Sequence, residues 1–496
     1  MPSFTARYHE LTKYRPETID RLGGVRWEEQ PEPFKDVPEG HHIDLVPHLK
    51  ALFAVEGAAE EDAPAIASDG TGEILPVLAR LAHGTLGLTA RLSGGGTGDI
   101  FLRASPSAGG LYPTELYFAV RAFPDLPAGV YHYHARRSAL VPVWEGDFSA
   151  DLKHHFLGHP AVAAALADSA GFVALFTGIY ARSAWRYKER AYRRILLDTG
   201  HAAANLLELA AASGLDAVPL GGFRDAGIEE LLFLGNKEEF PLLGVALGPR
   251  GTLPPVGGQR PGPAPEVAVT RADTEDPMMV QQNACERIEP GDALRPLVPS
   301  PRVADSDPAP GMTALNPLPV ILRRRSTRRF DAQAPVSLEA ALDLLRFAYR
   351  SANDGEPLLD RELLGHHVVA LAVEGLEPGV YALDPATLSL TPVREGDFRG
   401  DLHAVSLGQD LASDCAFALV HTADMEGLVE AYGDRGYRYA CMECGMIGER
   451  LQLRAVQRGL GSSGIGGYYD DLANDLLGLP LSDGILYVTL AGVPGE

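Results

Sequence analysis

Leu126–Tyr131 reads LPAGVY and is followed by Glu145-Gly-Asp-Phe148 and Asp151-Leu152; Leu376–Tyr381 reads LEPGVY and is followed by Glu395-Gly-Asp-Phe398 and Asp401-Leu402. These copies stay 250 residues apart throughout. Further on, Tyr187–Arg193 (YKERAYR) meets Tyr432–Arg438 (YGDRGYR). Gly200 then meets Gly445, Gly214-Leu215 meets Gly459-Leu460, and Gly221-Gly222 meets Gly466-Gly467. That offset is 245 and holds over some 35 positions. A register held so long is an internal repeat, and a repeat decides the architecture. Each half has the size of a single domain. The sequence therefore predicts two like domains, residues 1–250 and 318–496, joined by 251–317. That joining stretch is rich in Pro and Gly and short of apolar periodicity, so it reads as a surface linker. Residues 56–72, acidic and Ala-rich, read as an insertion loop.

Within each half the pattern is mixed. Leu116–Val120, Val368–Val373, Gly171–Phe176 and Ala416–Val420 are short apolar runs that read as buried strands. Ala203, Leu206, Leu207, Ala210 and Ala211 recur on one helical face, with Gly214 as a stop. Leu451 and Ala455 keep that spacing in the second copy. Ser337–Tyr349 opens with a Ser N-cap and an acidic first turn. The expected fold class is α+β.

The chain has 496 residues, 46% apolar and 22% charged, which is ordinary for a soluble globular protein. A net charge of −23 argues against nucleic acid and anionic membranes as partners. No apolar run approaches a membrane span. The polar opening MPSFTARYHELTK is not a secretory signal, and four cysteines are too few for a disulfide scaffold. A cytoplasmic location is expected.

Against that acidic background, Ile321–Phe330 reads ILRRRSTRRF. Arg324, Ser326 and Arg328 form an R-x-S-x-R pattern whose guanidinium forks and hydroxyl suit a phosphate. Arg103–Thr114 reads RASPSAGGLYPT. There Ser105 and Ser107 offer hydroxyls, Pro106 stiffens the turn, and Gly109 allows close approach to a ligand. Gly94–Gly98 lacks the spacing of a dinucleotide-binding fingerprint.

Together with Tyr8–Lys13 (YHELTK) and the Tyr187–His201 helix, these motifs resemble the flavin-dependent nitroreductase superfamily, in particular its SagB-type dehydrogenase branch, which includes azoline oxidases. The resemblance covers both halves. It implies an α+β fold in which two domains form an intimate dimer around flavin mononucleotide (FMN), here an intrachain pseudo-dimer. It implies that Arg324, Ser326 and Arg328 hold the phosphate and pyrimidine edge, while Ser105, Ser107 and Gly109 approach the ring system from the other domain. Gly466 and Gly467 would lie by the flavin ring, and Arg103 is a candidate for an extra phosphate cation. The SPSAGG loop occurs only in the first half and RRSTRR only in the second. One composite site, and one FMN per chain, is the expectation.

The branch commonly carries a Lys-Tyr pair where this chain has Arg186-Tyr187. Arg cannot accept a proton at neutral pH, so Arg186 is expected to orient substrate or stabilise negative charge. Tyr187 would be a base only with a depressed pKa. The reaction expected is dehydrogenation of an azoline or related small-molecule or modified-peptide intermediate. An NAD(P)H-dependent nitro or quinone reductase and a flavin-free scaffold are the alternatives. Cys441-x-x-Cys444, the His154/His155/His159 cluster and His201 read as packing or solvated positions rather than metal sites.

Overall fold

The repeat is visible strand by strand in a computed structural model of the chain, which describes residues 3–19, 24–37, 40–54, 72–93, 99–167, 171–235, 238–254, 264–265, 275–289, 292, 294–295, 317–350 and 358–495. The first half contains α1 (Phe4–Leu11), α2 (Leu75–Leu86), β1 (Thr114–Val120), β2 (Gly129–His134), β3 (Ala139–Glu145) and β4 (Phe172–Ile179). It continues with α3 (Tyr180–Tyr187), α4 (Ala191–Ala212), β5 (Leu215–Leu220), α5 (Asp225–Leu232) and β6 (Glu239–Pro249). Its sheet runs β3-β2-β1-β4-β6-β5, with Ile43–Asp44 added at the β3 edge. All of these neighbours are antiparallel.

The second half contains α6 (Met278–Cys285), α7 (Pro317–Arg323), α8 (Leu338–Tyr349), β7 (Leu364–Ala370), β8 (Gly379–Asp384), β9 (Ser389–Glu395) and β10 (Phe417–Asp424). Then come α9 (Met425–Tyr432), α10 (Gly436–Gln457), β11 (Gly461–Ile465), α11 (Asp470–Leu477) and β12 (Asp483–Gly492). Its sheet runs β9-β8-β7-β10-β12-β11, the same order. Even the irregularities repeat. A register shift falls between Val130 and Tyr131 and again between Val380 and Tyr381. The strands read as unbroken apolar runs because both faces are covered: every residue of β1, β2 and β6 is buried. The run 368–373 does not stay in one strand. Val373 starts a two-residue strand that pairs in parallel with Val336–Ser337.

Between the sheets lie α4 and α10, 22 residues each and buried along almost their whole length. They meet at Gly200 and Gly445. A Cβ at Gly200 would collide with the Met442 carbonyl, and one at Gly445 with the Leu197 carbonyl. The backbones therefore touch at the centre of the pseudo-dimer.

Buried arginine–carboxylate triads lock the halves on either side. Arg190 and Arg193 of the first half bracket Asp470 of the second at 2.6 and 2.7 Å. Arg435 and Arg438 of the second half bracket Asp225 of the first at 2.7 and 3.1 Å. Burial pushes both carboxyls up, but the paired arginines overcome it and hold them below the ordinary value.

One element lies where the linker was expected. Within 251–317, α6 packs its Met279 and Cys285 into the interior, and it repeats the contacts of α1. Arg190 donates to the Thr12 carbonyl as Arg435 donates to the Glu286 carbonyl. Tyr14 N donates to Asp470 as Ile288 N donates to Asp225. The pseudo-symmetry of the two halves thus reaches back to residue 278, inside the stretch read as linker. Most of the remaining linker, residues 56–71 of the expected insertion loop, and Gly94–Gly98 lie outside the described residues.

Candidate functional site

The arginine motif starts where α7 stops. After Arg323 the chain runs extended, and Thr327 N donates to the Ser462 carbonyl at 2.9 Å while Phe330 pairs with Pro494. This lays residues 324–330 along the second domain. The Arg324 side chain crosses to the first: its Nε lies 3.3 Å from the carbonyl of Ala104, the residue before Ser105. The same guanidinium is 3.5 Å from Glu449 and 3.4 Å from Gln452, both on α10. Glu449 is in turn 2.9 Å from His201, whose other ring nitrogen lies 2.7 Å from the Tyr487 hydroxyl. Ser326 is half-buried, and Arg328 is exposed with no partner among the described residues. The two motifs that the sequence placed in different domains are therefore neighbours in space.

The opposing loop is held by one carboxylate. Ser107 Oγ donates to Asp198 of α4 at 2.5 Å and accepts from Tyr112 N at 2.8 Å. The Ala108 amide also donates to Asp198, at 3.1 Å. Burial pushes the Asp198 carboxyl up to about 6, although these hydrogen bonds act against it. Ser105 is buried and Pro106 half-buried. Gly109 has φ +65°, a conformation that favours glycine, and a Cβ there would lie 2.6 Å from the Tyr187 hydroxyl.

Tyr187 joins this loop to the Gly466 side. The Arg194 guanidinium stacks on the Tyr187 ring with its carbon 3.9 Å from the centroid. A Cβ at Gly466 would collide with that guanidinium. Arg194 also reaches the Tyr14 hydroxyl at 3.4 Å. Gly467 faces Leu407. Gly109, Tyr187, Arg194 and Gly466 are thus contiguous, with Arg186 stacked over Tyr187 and Trp27.

Burial decides the state of both Tyr187 and Arg103. Burial raises the Tyr187 pKa, and the nearby arginines do not reverse it. Tyr187 therefore keeps its proton near neutrality and is a donor rather than a base. Arg103 does not join the arginine motif. It donates to the Pro33 carbonyl and lies over Phe34 and Tyr112 at 5.1 and 5.0 Å, where burial lowers its pKa to about 10. Arg103 supports the segment that carries Pro33 and Phe34.

The matching place in the other half is built differently. Glu443, the counterpart of Asp198, accepts from Leu358 N at 3.1 Å, so the scaffold is retained. Beside it, however, Leu358 and Leu359 are fully buried. Tyr439 replaces Arg194 and packs against Gly221, donating its hydroxyl to the Gly221 carbonyl. In α2, LPVLAR (Leu75–Arg80) matches LPVILR (Leu318–Arg323). That register puts Leu81, His83 and Thr85 where Arg324, Ser326 and Arg328 stand. The first half therefore continues as a helix there and carries no equivalent of the R-x-S-x-R motif, as the sequence indicates. Asp198, His201, Glu449 and Arg194 were also not singled out as site residues. Their signal was present in the 245-residue offset, which pairs His201 with Met446, Glu449 with Ala204 and Arg194 with Tyr439.

Cys441 and Cys444 are buried free thiols on α10, and burial pushes Cys441 up to about 12. His159 caps α-helical Ala161 N at 3.2 Å. No group of three or more potential metal ligands occurs among the described residues, and no described helix is long and apolar enough to cross a membrane.

Comparison with known proteins agrees with the repeat. The nitroreductase family model matches twice, over residues 76–249 and 321–493. A crystal structure from Anabaena variabilis, named as a nitroreductase, superposes with a TM-score of 0.83 at 31% identity, covering 100% of both chains. A protein of Methanocaldococcus jannaschii named as nitroreductase MJ1384 is 31% identical over 158 residues, 31% of this chain and 74% of that one. The trifolitoxin-processing protein TfxB of Rhizobium leguminosarum bv. trifolii is 31% identical over 140 residues, 28% of this chain and 37% of TfxB.

Proposed function

From the premise that this chain belongs to the nitroreductase family, we propose that it is an FMN-dependent oxidoreductase with one composite flavin site, acting as a SagB-type dehydrogenase on a small-molecule or modified-peptide intermediate. The observation that carries the reading is the reach of Arg324 from the second domain to the Ala104 carbonyl of the first. The residues fit the cofactor. Arg324, Ser326 and the unpartnered Arg328 give a cationic, hydroxyl-bearing end for a phosphate. The Ser107–Gly109 loop and Gly466 give a close backbone surface for a flat ring, and the buried Arg194 Nε has no hydrogen-bond partner among the described residues.

Bound FMN would supply the two-electron acceptor for a substrate hydride. The protein's own part is positioning and electrostatics. Asp198 fixes the loop through Ser107 and Ala108. His201 and Glu449 orient Arg324. Tyr187, protonated, donates a hydrogen bond at the face of the site. Asp198 has the pKa of a base but spends both oxygens on the loop, so it is a positioning residue. The likeness to TfxB, named as a trifolitoxin-processing protein, supports a role in processing a biosynthetic intermediate.

The test is the visible spectrum of the purified protein, with released flavin counted against protein. About one FMN per chain is expected for a single site. A ratio near two, or no flavin after incubation with excess FMN, overturns the reading. Arg324→Ala should weaken FMN binding by roughly 10–100-fold, the loss of a charged hydrogen-bonding partner. Rapid bleaching of the flavin by NAD(P)H would move the assignment to a reductase.

A further inference from the structure

Around Tyr187 stand three cations, and the carboxylate that acts on Tyr187 and Arg194, that of Asp198, is committed to the Ser107 loop. Among the described residues, Arg186, Lys188 and Arg194 make no ion pair. Arg186 lies over the rings of Trp27 and Tyr187 at 5.7 and 5.6 Å. Lys188 donates to the Trp185 carbonyl at 3.1 Å. In a chain of net charge −23, unpaired cations grouped around one tyrosine are informative.

The repeat supplies an internal control. Tyr187 is matched by Tyr432, but Arg186, Lys188 and Arg194 are matched by Ala431, Gly433 and Tyr439. All three cations occur only in the half whose site is not filled. Lys188 also has φ +49° and ψ −136°, where its counterpart is a glycine with φ +63°. A lysine held in a glycine conformation is strained, and such strain concentrates at functional positions.

Beside these cations, Trp27 leaves 63% of its surface in solvent. It meets Trp185 edge-on at 5.6 Å. The segment bearing it is pinned across α3. Trp185 Nε1 donates to the Arg26 carbonyl at 2.9 Å, and Arg182 donates to the Glu32 carbonyl at 3.1 Å. This is a fixed aromatic platform with a guanidinium on top.

We propose that Arg186, Lys188 and Trp27 form the recognition rim for an organic carboxylate, whose flat apolar body rests on Trp27 and Trp185. The inference rests on the flavin reading, since the rim borders that site. A guanidinium stacked on rings leaves its in-plane N–H fork for a carboxylate, and Lys188 adds a second charge.

Tryptophan emission reads the rim directly, because the chain has only Trp27, Trp144 and Trp185, and Trp144 stacks elsewhere, on Phe233. In a Trp144→Phe background, benzoate is titrated into flavin-loaded protein, with benzamide and phenyl phosphate as controls. Benzoate should quench saturably, and benzamide should bind at least roughly tenfold more weakly, having lost the charge. Arg186→Ala should weaken benzoate by roughly tenfold, and Arg186→Lys by less, since it keeps the charge without the fork. Lys188→Gly should weaken benzoate while raising Tm. Equal binding of benzoate and benzamide, an unchanged Kd in Arg186→Ala, or a tenfold preference for phenyl phosphate overturns the proposal. Flavin content is measured in the same samples. Flavin-loaded protein that ignores benzoate sinks the rim alone. Flavin-free protein that still binds benzoate sinks the function reading alone.

Discussion

Asp198 shows how a single side chain can be read for both stability and function. Its carboxyl titrates near 6 in the fold because burial disfavours the charge, against about 4 in an unfolded chain. The folded state therefore holds an extra proton between those values. Stability falls as pH rises through that window and is level above it. Asp198→Asn should remove this slope, worth on the order of 2–3 kcal/mol for two pKa units. Urea unfolding at pH 4 and pH 7 checks it. The same change deprives either Ser107 or Ala108 of an acceptor, so FMN retention should fall.

At the scale of elements, the crossing of α4 and α10 sets the tolerances of the whole site. Asp198, His201, Glu443 and Glu449 all hang from these two helices. Their separation is fixed where Gly200 and Gly445 bring backbone against backbone. Gly445→Ala places a methyl where the Leu197 carbonyl lies. It should destabilise by about 2–4 kcal/mol, because two buried helices must part. Thermal unfolding of the variant beside a surface Gly→Ala control, such as Gly400→Ala, measures this. Gly400 has open space where a Cβ would go.

For the molecule as a whole, the buried ion pairs between the halves predict that the repeat unfolds as one unit. The triads Arg190–Asp470–Arg193 and Arg435–Asp225–Arg438 both cross the domain boundary in fully buried surroundings. Removing Asp470 leaves two buried guanidinium groups without their carboxylate, a loss of about 3–5 kcal/mol. Asp470→Ala should lower the denaturant midpoint of the entire chain in a single transition. Two separated transitions would mean that the halves fold independently. Both aspartates are held below their ordinary pKa, so their stabilisation is present above about pH 4 and is lost as acid protonates them.

The sequence by itself determined the tandem architecture, the mixed α and β content and the two motif arms. Those are properties of local pattern and of a register that survives in the chain, and a repeat can be read without knowing where its parts lie. It also held the asymmetry of the halves, in Arg324 against Leu81 and Arg194 against Tyr439, although that becomes legible only once the helices are superposed. The tertiary structure alone decided which groups face each other. It turned Arg103 toward Pro33, raised the Tyr187 pKa, made Asp198 the anchor of the Ser107 loop, and set α6 into the second repeat. Each of these depends on burial and on partners distant in sequence, and local pattern carries no record of either.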